Sequence, residues 1–324
     1  MKDSIQFHSQ FLKTSLMDIK KISSLDSNQR IDAFKKNPFD ENFIELLNTN
    51  LANLEHDISS SIKEKVYYPS IIVTGMARTG STLLTQILAS RLNIGYVSNL
   101  MARFYKTPLT GVKLQKMLIG NSIHSVRNYN STFGVTENII EPHEFGYFWT
   151  KHLATNNHCH EFIEESELTK INFKVLNLEL DKISALFEKP FLCKCTIAPF
   201  ILEHLIKNTS LFVIHITREK EPTIKSVKKA RKERLGSISK WWSIRPKGFE
   251  NMLSESPENQ ISWQFDKTVN SIKNSQQKSP NRILTCKYEK LLENPEKCID
   301  DIISAYYEHS NFYISKVGDK VVLT

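Results

Sequence analysis

A chain of 324 residues with 40% hydrophobic and 24% charged residues is long enough to bury a sizeable core and too apolar to remain an unfolded polyelectrolyte. Its 10 glycines and 11 prolines exclude collagen-like and low-complexity chains. A formal charge of +8, from 43 Lys and Arg against 35 Asp and Glu, points to an anionic ligand, nucleic acid or an acidic surface, and the placement of that charge decides among them.

Met1 to Lys21 is polar and mixed in charge, without the apolar segment and small-residue cleavage site of a secretory signal, and no later run approaches the roughly 20 apolar residues of a membrane span. A cytoplasmic protein without a transmembrane anchor is expected. Phe43, Leu46, Leu47, Leu51, Leu54 and Ile58 recur at three- and four-residue steps. They predict an amphipathic helix over 41–58, in a helical lead-in (1–65) to the main domain (66–324). Tyr67 to Thr74 is a short β-branched run that predicts a buried strand, Gly75 to Gly80 a glycine turn, and Ser81 onward a helix with Leu83, Leu84, Ile87, Leu88 and Leu92 on one face.

Phe191 to Cys195 begins a second unit, which passes through an apolar short helix from Pro199 to Ile206 and returns as the strand Leu211 to Thr217. A right-handed crossover into a parallel sheet is the default connection. From Arg218 to Arg234 there are eight basic residues and three acidic ones, on a helix whose apolar side carries Ile224, Val227 and Leu235. The positive excess is therefore concentrated behind a strand end. Ile283 to Tyr288 reads as a further strand, and Asn294 and Pro295 make an N-cap and N1 pair for a helix burying Ile299, Ile302, Ile303 and Tyr306. The sum is an α/β fold, a P-loop-like central parallel sheet flanked by helices. The five cysteines, Cys159, Cys193, Cys195, Cys286 and Cys298, are odd in number and scattered, which suits reduced thiols and leaves the sequons at Asn130 and Asn208 without a role.

The segment Gly75-Met-Ala-Arg78-Thr79-Gly80-Ser81-Thr82 sits where a strand turns into a helix, and unpaired helical N–H groups there can bind a phosphate. It matches the Walker A spacing except that Ser81 stands at the lysine position and the basic residue, Arg78, lies inside the loop. The strands over 211–217 and 283–288 also lack an aspartate to serve as a magnesium ligand. The loop is suited to an anion held without a metal.

In these residues the chain resembles the sulfotransferases that use 3′-phosphoadenosine 5′-phosphosulfate (PAPS), most closely bacterial and carbohydrate-type members. Their 5′-phosphosulfate loop reads approximately Gly-x-Pro-Arg-Ser/Thr-Gly-Ser/Thr-Thr-Leu-Leu, and only the proline is missing here. Their 3′-phosphate motif, an arginine at a strand end followed eight residues later by a serine, is matched by Arg218 and Ser226. Phe191 to Lys194 is similar to the family's lysine strand, and Lys287 to Pro295 to its late Tyr-Glu element. The resemblance covers about residues 68–307. It implies PAPS as co-substrate with no metal, with Arg78, Thr79, Gly80, Ser81 and Thr82 on the 5′-phosphosulfate, Arg218 and Ser226 on the 3′-phosphate, and Lys194 on the leaving-group side.

The Lys-x-His of phenol-type members is absent, because Lys194 is followed by Cys195 and Thr196. A carboxylate base is implied instead, and the cluster from Glu137 to Trp149 offers Glu141 and Glu144, with His143 as a third candidate. An acidic first turn of a helix is the bland reading of those three residues. Tyr147, Phe148 and Trp149 are read as core. Trp241 to Gly248 only faintly resembles the family's Arg-Lys-Gly loop and lies before the Tyr-Glu element instead of after it, while His152, His158, Cys159 and His160 do not have a zinc spacing. The reaction implied is sulfuryl transfer to a hydroxyl or amine of a small-molecule or glycan acceptor, with no nucleic-acid partner. The rivals are a P-loop kinase or NTPase, which would need a lysine at position 81, and a non-catalytic basic protein that holds nucleotide or nucleic acid on the loop and the 218–234 helix.

Overall fold

A computed structural model describes residues 29–62, 68–120, 129–153 and 162–321. His158 and Cys159, together with His160, lie outside the described residues. In chain order the longer elements are α1 (Pro38–Asn50), α2 (Ala52–Ser61), β1 (Ile71–Thr74), α3 (Ser81–Arg91), β2 (Gly95–Tyr96), α4 (Pro108–Leu118), α5 (Gly146–Leu153), α6 (Phe173–Phe187) and β3 (Phe191–Lys194). There follow α7 (Leu202–Asn208), β4 (Phe212–Thr217), α8 (Lys220–Leu235), α9 (Pro257–Lys278), β5 (Ile283–Lys287), α10 (Tyr288–Glu293) and α11 (Pro295–Ser310).

The five strands form one parallel sheet in the order β2-β3-β1-β4-β5. β1, β3 and β4 are short and buried almost throughout because the inner strands of a parallel sheet are covered on both faces, whereas the edge strand β5 exposes Thr285 and Lys287. Side chains alternate between the faces. Ile72, Cys193 and Val213 join the apolar cluster that includes α4, α5 and α6, whereas Ile71, Val73, Leu192, Ile214 and Ile216 join the cluster with α3 and α11. β3 and β4 are not neighbours. Both pair with β1, Ile72 lying opposite Cys193 on one side and Val213 on the other, so the connection through α7 passes over the central strand.

The apolar periodicity over 41–58 belongs to two helices instead of one. Asn37 caps α1 by accepting the Phe39 N–H, with Pro38 in the first turn, and the chain leaves helical geometry at Leu51 before α2 begins. Ile58 is buried in the core, while Phe43, Leu46 and Leu54 are exposed, so the stripe is only partly absorbed by packing. Asn294 caps α11 through the Lys297 N–H at 3.0 Å. Arg91, at the end of α3, grips both carboxylate oxygens of Glu296 at 3.0 Å and donates to the Val317 and Gly318 carbonyls, which ties the C-terminal segment to the sheet's flank. Among the described residues, no helix is long and apolar enough to cross a membrane.

Candidate functional site

The carboxyl ends of β3, β1 and β4, three adjacent strands, open on one side of the sheet, the usual ligand crevice of an open parallel sheet. β1 is tied to β3 at this end by the Thr74 hydroxyl, which donates to the Cys195 carbonyl at 2.7 Å. The chain then turns through the glycine loop. Met76 is buried against Ile224, Val227, Ile261 and Phe265 of α8 and α9, and the Thr79 hydroxyl closes the loop on the Met76 carbonyl at 2.7 Å. Thr79 therefore offers its backbone, not its side chain, to a ligand. Arg78 has a φ of 71°, a conformation sparsely populated by non-glycine residues. Gly80 has a φ of 99°, and a Cβ there would stand 2.3 Å from the Tyr288 ring, so glycine is required both by the turn and by the tyrosine seated on it. Ser81 opens α3, whose first N–H groups have no intrahelical acceptor.

Arg78 reaches the second predicted motif. Its Nε donates to Ser226 Oγ at 3.2 Å, and the Arg218 guanidinium lies 4.5 Å from the centre of the Tyr288 ring. Burial, and then the neighbouring charge of Arg218, push the Arg78 guanidinium below its ordinary pKa. Among the described residues no carboxylate lies within 4 Å of either guanidinium. Two neighbouring cations with no carboxylate paired to them among the described residues attract an anion.

Lys194 ends β3 and is nearly buried, with 6% of its side chain exposed. Its Nζ donates to Thr82 Oγ1 at 3.2 Å and lies 3.0 Å from a carboxylate oxygen of Glu144, while its carbonyl accepts from the Trp149 indole at 2.9 Å. The Thr196 hydroxyl also donates to Glu144. Burial alone would raise the Glu144 carboxyl, but Lys194 and Thr196 outweigh it and hold it at about 2. The Glu144 side chain is half-buried, with one carboxylate oxygen facing Lys194 and the other accepting from Thr196.

The other two acid-base candidates are placed differently. Glu141 is buried and closes its own turn by accepting the Glu137 and Asn138 N–H groups at 3.1 and 3.2 Å. His143 accepts the Phe145 N–H on Nδ1 at 2.9 Å, and burial lowers its pKa to about 4, so the ring is neutral. The structure thus brings together Arg78, Thr82, Lys194 and Glu144, and beside them Ser226 and Arg218, and leaves Glu141 bonded within its own loop. Phe148 and Trp149 are core residues. Thr196 and Tyr288 are the neighbours that sequence reasoning did not select. The signal for Tyr288 was its position directly after β5; that for Thr196 was only its place two residues beyond Lys194. In the Trp241 to Gly248 segment, Trp241 is buried with its indole bonded to the Ile244 carbonyl, and Lys247 pairs with Glu164 at 2.8 Å. Among the described residues no three His, Cys, Asp or Glu side chains gather as a metal site.

The chain matches no protein-family model and no curated protein. Among solved structures it is similar to the sulfotransferase STF1 of Mycobacterium tuberculosis H37Rv, at 14% identity over 83% of this chain and 72% of that one, with a TM-score of 0.49. It is also similar to the sulfotransferase STF9 of Mycobacterium avium, at 11% identity over 85% of this chain and 76% of that one, TM-score 0.48. A third is the sulfotransferase domain of the curacin biosynthetic pathway, at 14% identity over 75% and 74% of the two chains, TM-score 0.43.

Proposed function

We propose that the chain is a PAPS-dependent sulfotransferase acting in the cytoplasm on a hydroxyl or amine of a small-molecule or glycan acceptor, without a metal. The observation that carries this reading is the convergence of Arg78, Arg218 and Ser226, with no carboxylate among the described residues paired to either guanidinium, beside the Lys194 and Glu144 pair at the end of the neighbouring strand.

The residues divide the work by charge. The N–H groups from Thr79 to Thr82 with the Ser81 and Thr82 hydroxyls fit the 5′-phosphosulfate, and Arg218 with Ser226 fits the 3′-phosphate, Arg78 standing between the two. PAPS supplies the sulfuryl group together with a phosphate leaving group. The chain's own task is to hold that group in line with the acceptor and to neutralise charge on the departing oxygen, which the Lys194 ammonium is placed to do. Glu144 is the residue in reach of an incoming acceptor proton. A carboxyl held at about 2 is a weak base, and Lys194 is the leading cause of that depression. When the ammonium is shared with an anion on the loop, the carboxylate is released from part of its ion pair and its basicity rises. Proton acceptance is thereby coupled to donor binding.

Calorimetric titration with 3′-phosphoadenosine 5′-phosphate (PAP), AMP and Mg-ATP tests the reading. PAP should bind tightly, AMP at least tenfold more weakly, and Arg218→Ala should abolish most of that difference, a loss of about 1.5–3 kcal/mol for a charged hydrogen-bonding partner. Preference for Mg-ATP would favour an NTPase. Tight salt-dependent oligonucleotide binding without any preference for a 3′-phosphate would favour a basic binding protein.

A further inference from the structure

A turn from a distant part of the chain lies on the proposed transfer centre. Thr132 and Val135 exchange both backbone hydrogen bonds, at 2.9 and 3.1 Å, across Phe133 and Gly134, whose φ values of 53° and 85° are those of a type I′ turn. The first of these positions favours Asn, Asp or Gly, and a bulky aromatic there is an outlier. The conformation is held from outside. The Phe133 ring faces the Arg78 guanidinium at 5.5 Å, its carbonyl accepts from Arg234 at 3.4 Å, and the Gly134 carbonyl accepts from the Thr82 hydroxyl at 3.4 Å. A Cβ on Gly134 would stand 3.2 Å from that hydroxyl oxygen and 3.9 Å from the Lys194 ammonium. The turn therefore faces the loop arginine and bonds the loop threonine, with the strand lysine just beyond the bare Cα of Gly134.

A second layer backs the first. The Ile31 N–H donates to the Arg234 carbonyl at 2.9 Å, which leads residues 29–36 across the end of α8. Phe34 meets Phe133 edge to face with ring centres 6.2 Å apart, and the Arg234 guanidinium lies 5.3 Å from the Phe34 ring. The leading limb of the turn is anchored along α3 by Gln86, which donates to the Asn130 carbonyl at 3.0 Å.

We propose that the Phe133–Gly134 turn, backed by Phe34, is a positioning element that covers the sulfuryl group and keeps water from it, an inference that rests on the sulfotransferase reading. Water is the competing acceptor. Its oxygen forms a bond to sulfur, the bond from sulfur to the 5′-phosphate oxygen breaks with its electron pair staying on the phosphate, and the protons of water go to solvent, leaving sulfate and PAP. An apolar ring and a glycine backbone over Arg78, Thr82 and Lys194 remove the space such a water needs.

The test is release of sulfate from PAPS by the full-length protein with no acceptor present, read beside PAP affinity. Phe133→Gly deletes the ring while removing the positive-φ penalty, so loss of fold does not explain its behaviour, and the thermal midpoint checks this. Phe34→Ala removes the backing alone, and Phe133→Tyr keeps a ring in place. Phe133→Gly and Phe34→Ala should raise acceptor-free sulfate release about tenfold with PAP affinity changed less than threefold, while Phe133→Tyr stays at the parental rate. Sulfate release unchanged in both Phe133→Gly and Phe34→Ala, with PAP still bound by its 3′-phosphate, would overturn the cover and leave the sulfotransferase reading standing. Failure of the parent protein to distinguish PAP from AMP would overturn the reading itself.

Discussion

Gly80→Ala tests the packing of the anion loop independently of any reaction. The new methyl group would stand 2.3 Å from Cδ2 and 2.8 Å from Cε2 of Tyr288, at a residue whose φ is 99°. A left-handed conformation costs an L-residue about 1–2 kcal/mol, and an extra methyl in a filled space about 1–3 kcal/mol, so the variant should lose about 2–5 kcal/mol of stability. The clash and the strain separate in a double-mutant cycle. Tyr288→Ala removes the ring that the methyl strikes, so Gly80→Ala should cost about 1–3 kcal/mol less in that background than in the parent, leaving only the backbone penalty. Urea unfolding followed by circular dichroism at a fixed pH reads all four proteins. A Gly80→Ala change below about 0.5 kcal/mol, or a cycle with no coupling, would refute the seating of Tyr288 on the glycine.

Lys194→Ala and Glu144→Gln should each slow sulfuryl transfer by about 10²–10⁴ with PAP affinity changed only a few-fold, whereas Glu141→Gln should leave turnover nearly intact; steady-state kinetics beside calorimetry separates these outcomes. His215, buried on β4 and 3.3 Å from the Thr285 hydroxyl, has its pKa lowered by burial to about 4, and His143 likewise to about 4. Because the folded pKa lies below the unfolded value near 6.5, the contribution of each is complete above that value and is lost as pH falls from about 6.5 toward 4. Denaturation midpoints should hold from pH 8 to 7 and fall between 6 and 4, and His215→Gln should reduce that slope by up to about 1.4 kcal/mol per pH unit. Arg91→Ala leaves two backbone carbonyls without their donor and Glu296 with only Lys316 and the Val321 N–H, should cost about 1–3 kcal/mol, and should speed proteolytic cleavage near residue 317.

The strands over 71–74, 191–194 and 212–217 are readable because a strand covered on both faces is a nearly unbroken apolar run, and the edge strand over 283–287 because apolar residues alternate with the exposed Thr285 and Lys287. β2 is not, since two residues, Gly95 and Tyr96, carry no period. The spacing over 41–58 predicts one helix because Leu51 keeps the apolar period while its backbone leaves the helix. At the site, spacing along one loop or one helix singles out Arg78 and Ser226, whose contact then depends on β1 and β4 being neighbours. What spacing could not give was the difference between Glu141 and Glu144. They are three residues apart and chemically alike, but one carboxylate folds back on the Glu137 and Asn138 amides and the other meets a lysine 50 residues downstream. The aromatic turn over Arg78 was invisible for the same reason, since its contacts with Arg234 and Phe34 span about 100 residues on either side.

The central place of β1 bears on how the molecule comes into being. Synthesis delivers β1 long before either neighbour, since β3 begins at Phe191 and β4 at Phe212. A growing chain therefore carries a short apolar strand with both edges bare while more than a hundred further residues are made, the kind of non-local pairing that folds late and aggregates readily. The glycine loop emerges early but has no Lys194, Arg218 or Ser226 to complete it until the chain has passed residue 226. Any ligand that needs all of these residues could therefore pull only the finished sheet toward the native state and would give no shelter to an incomplete chain.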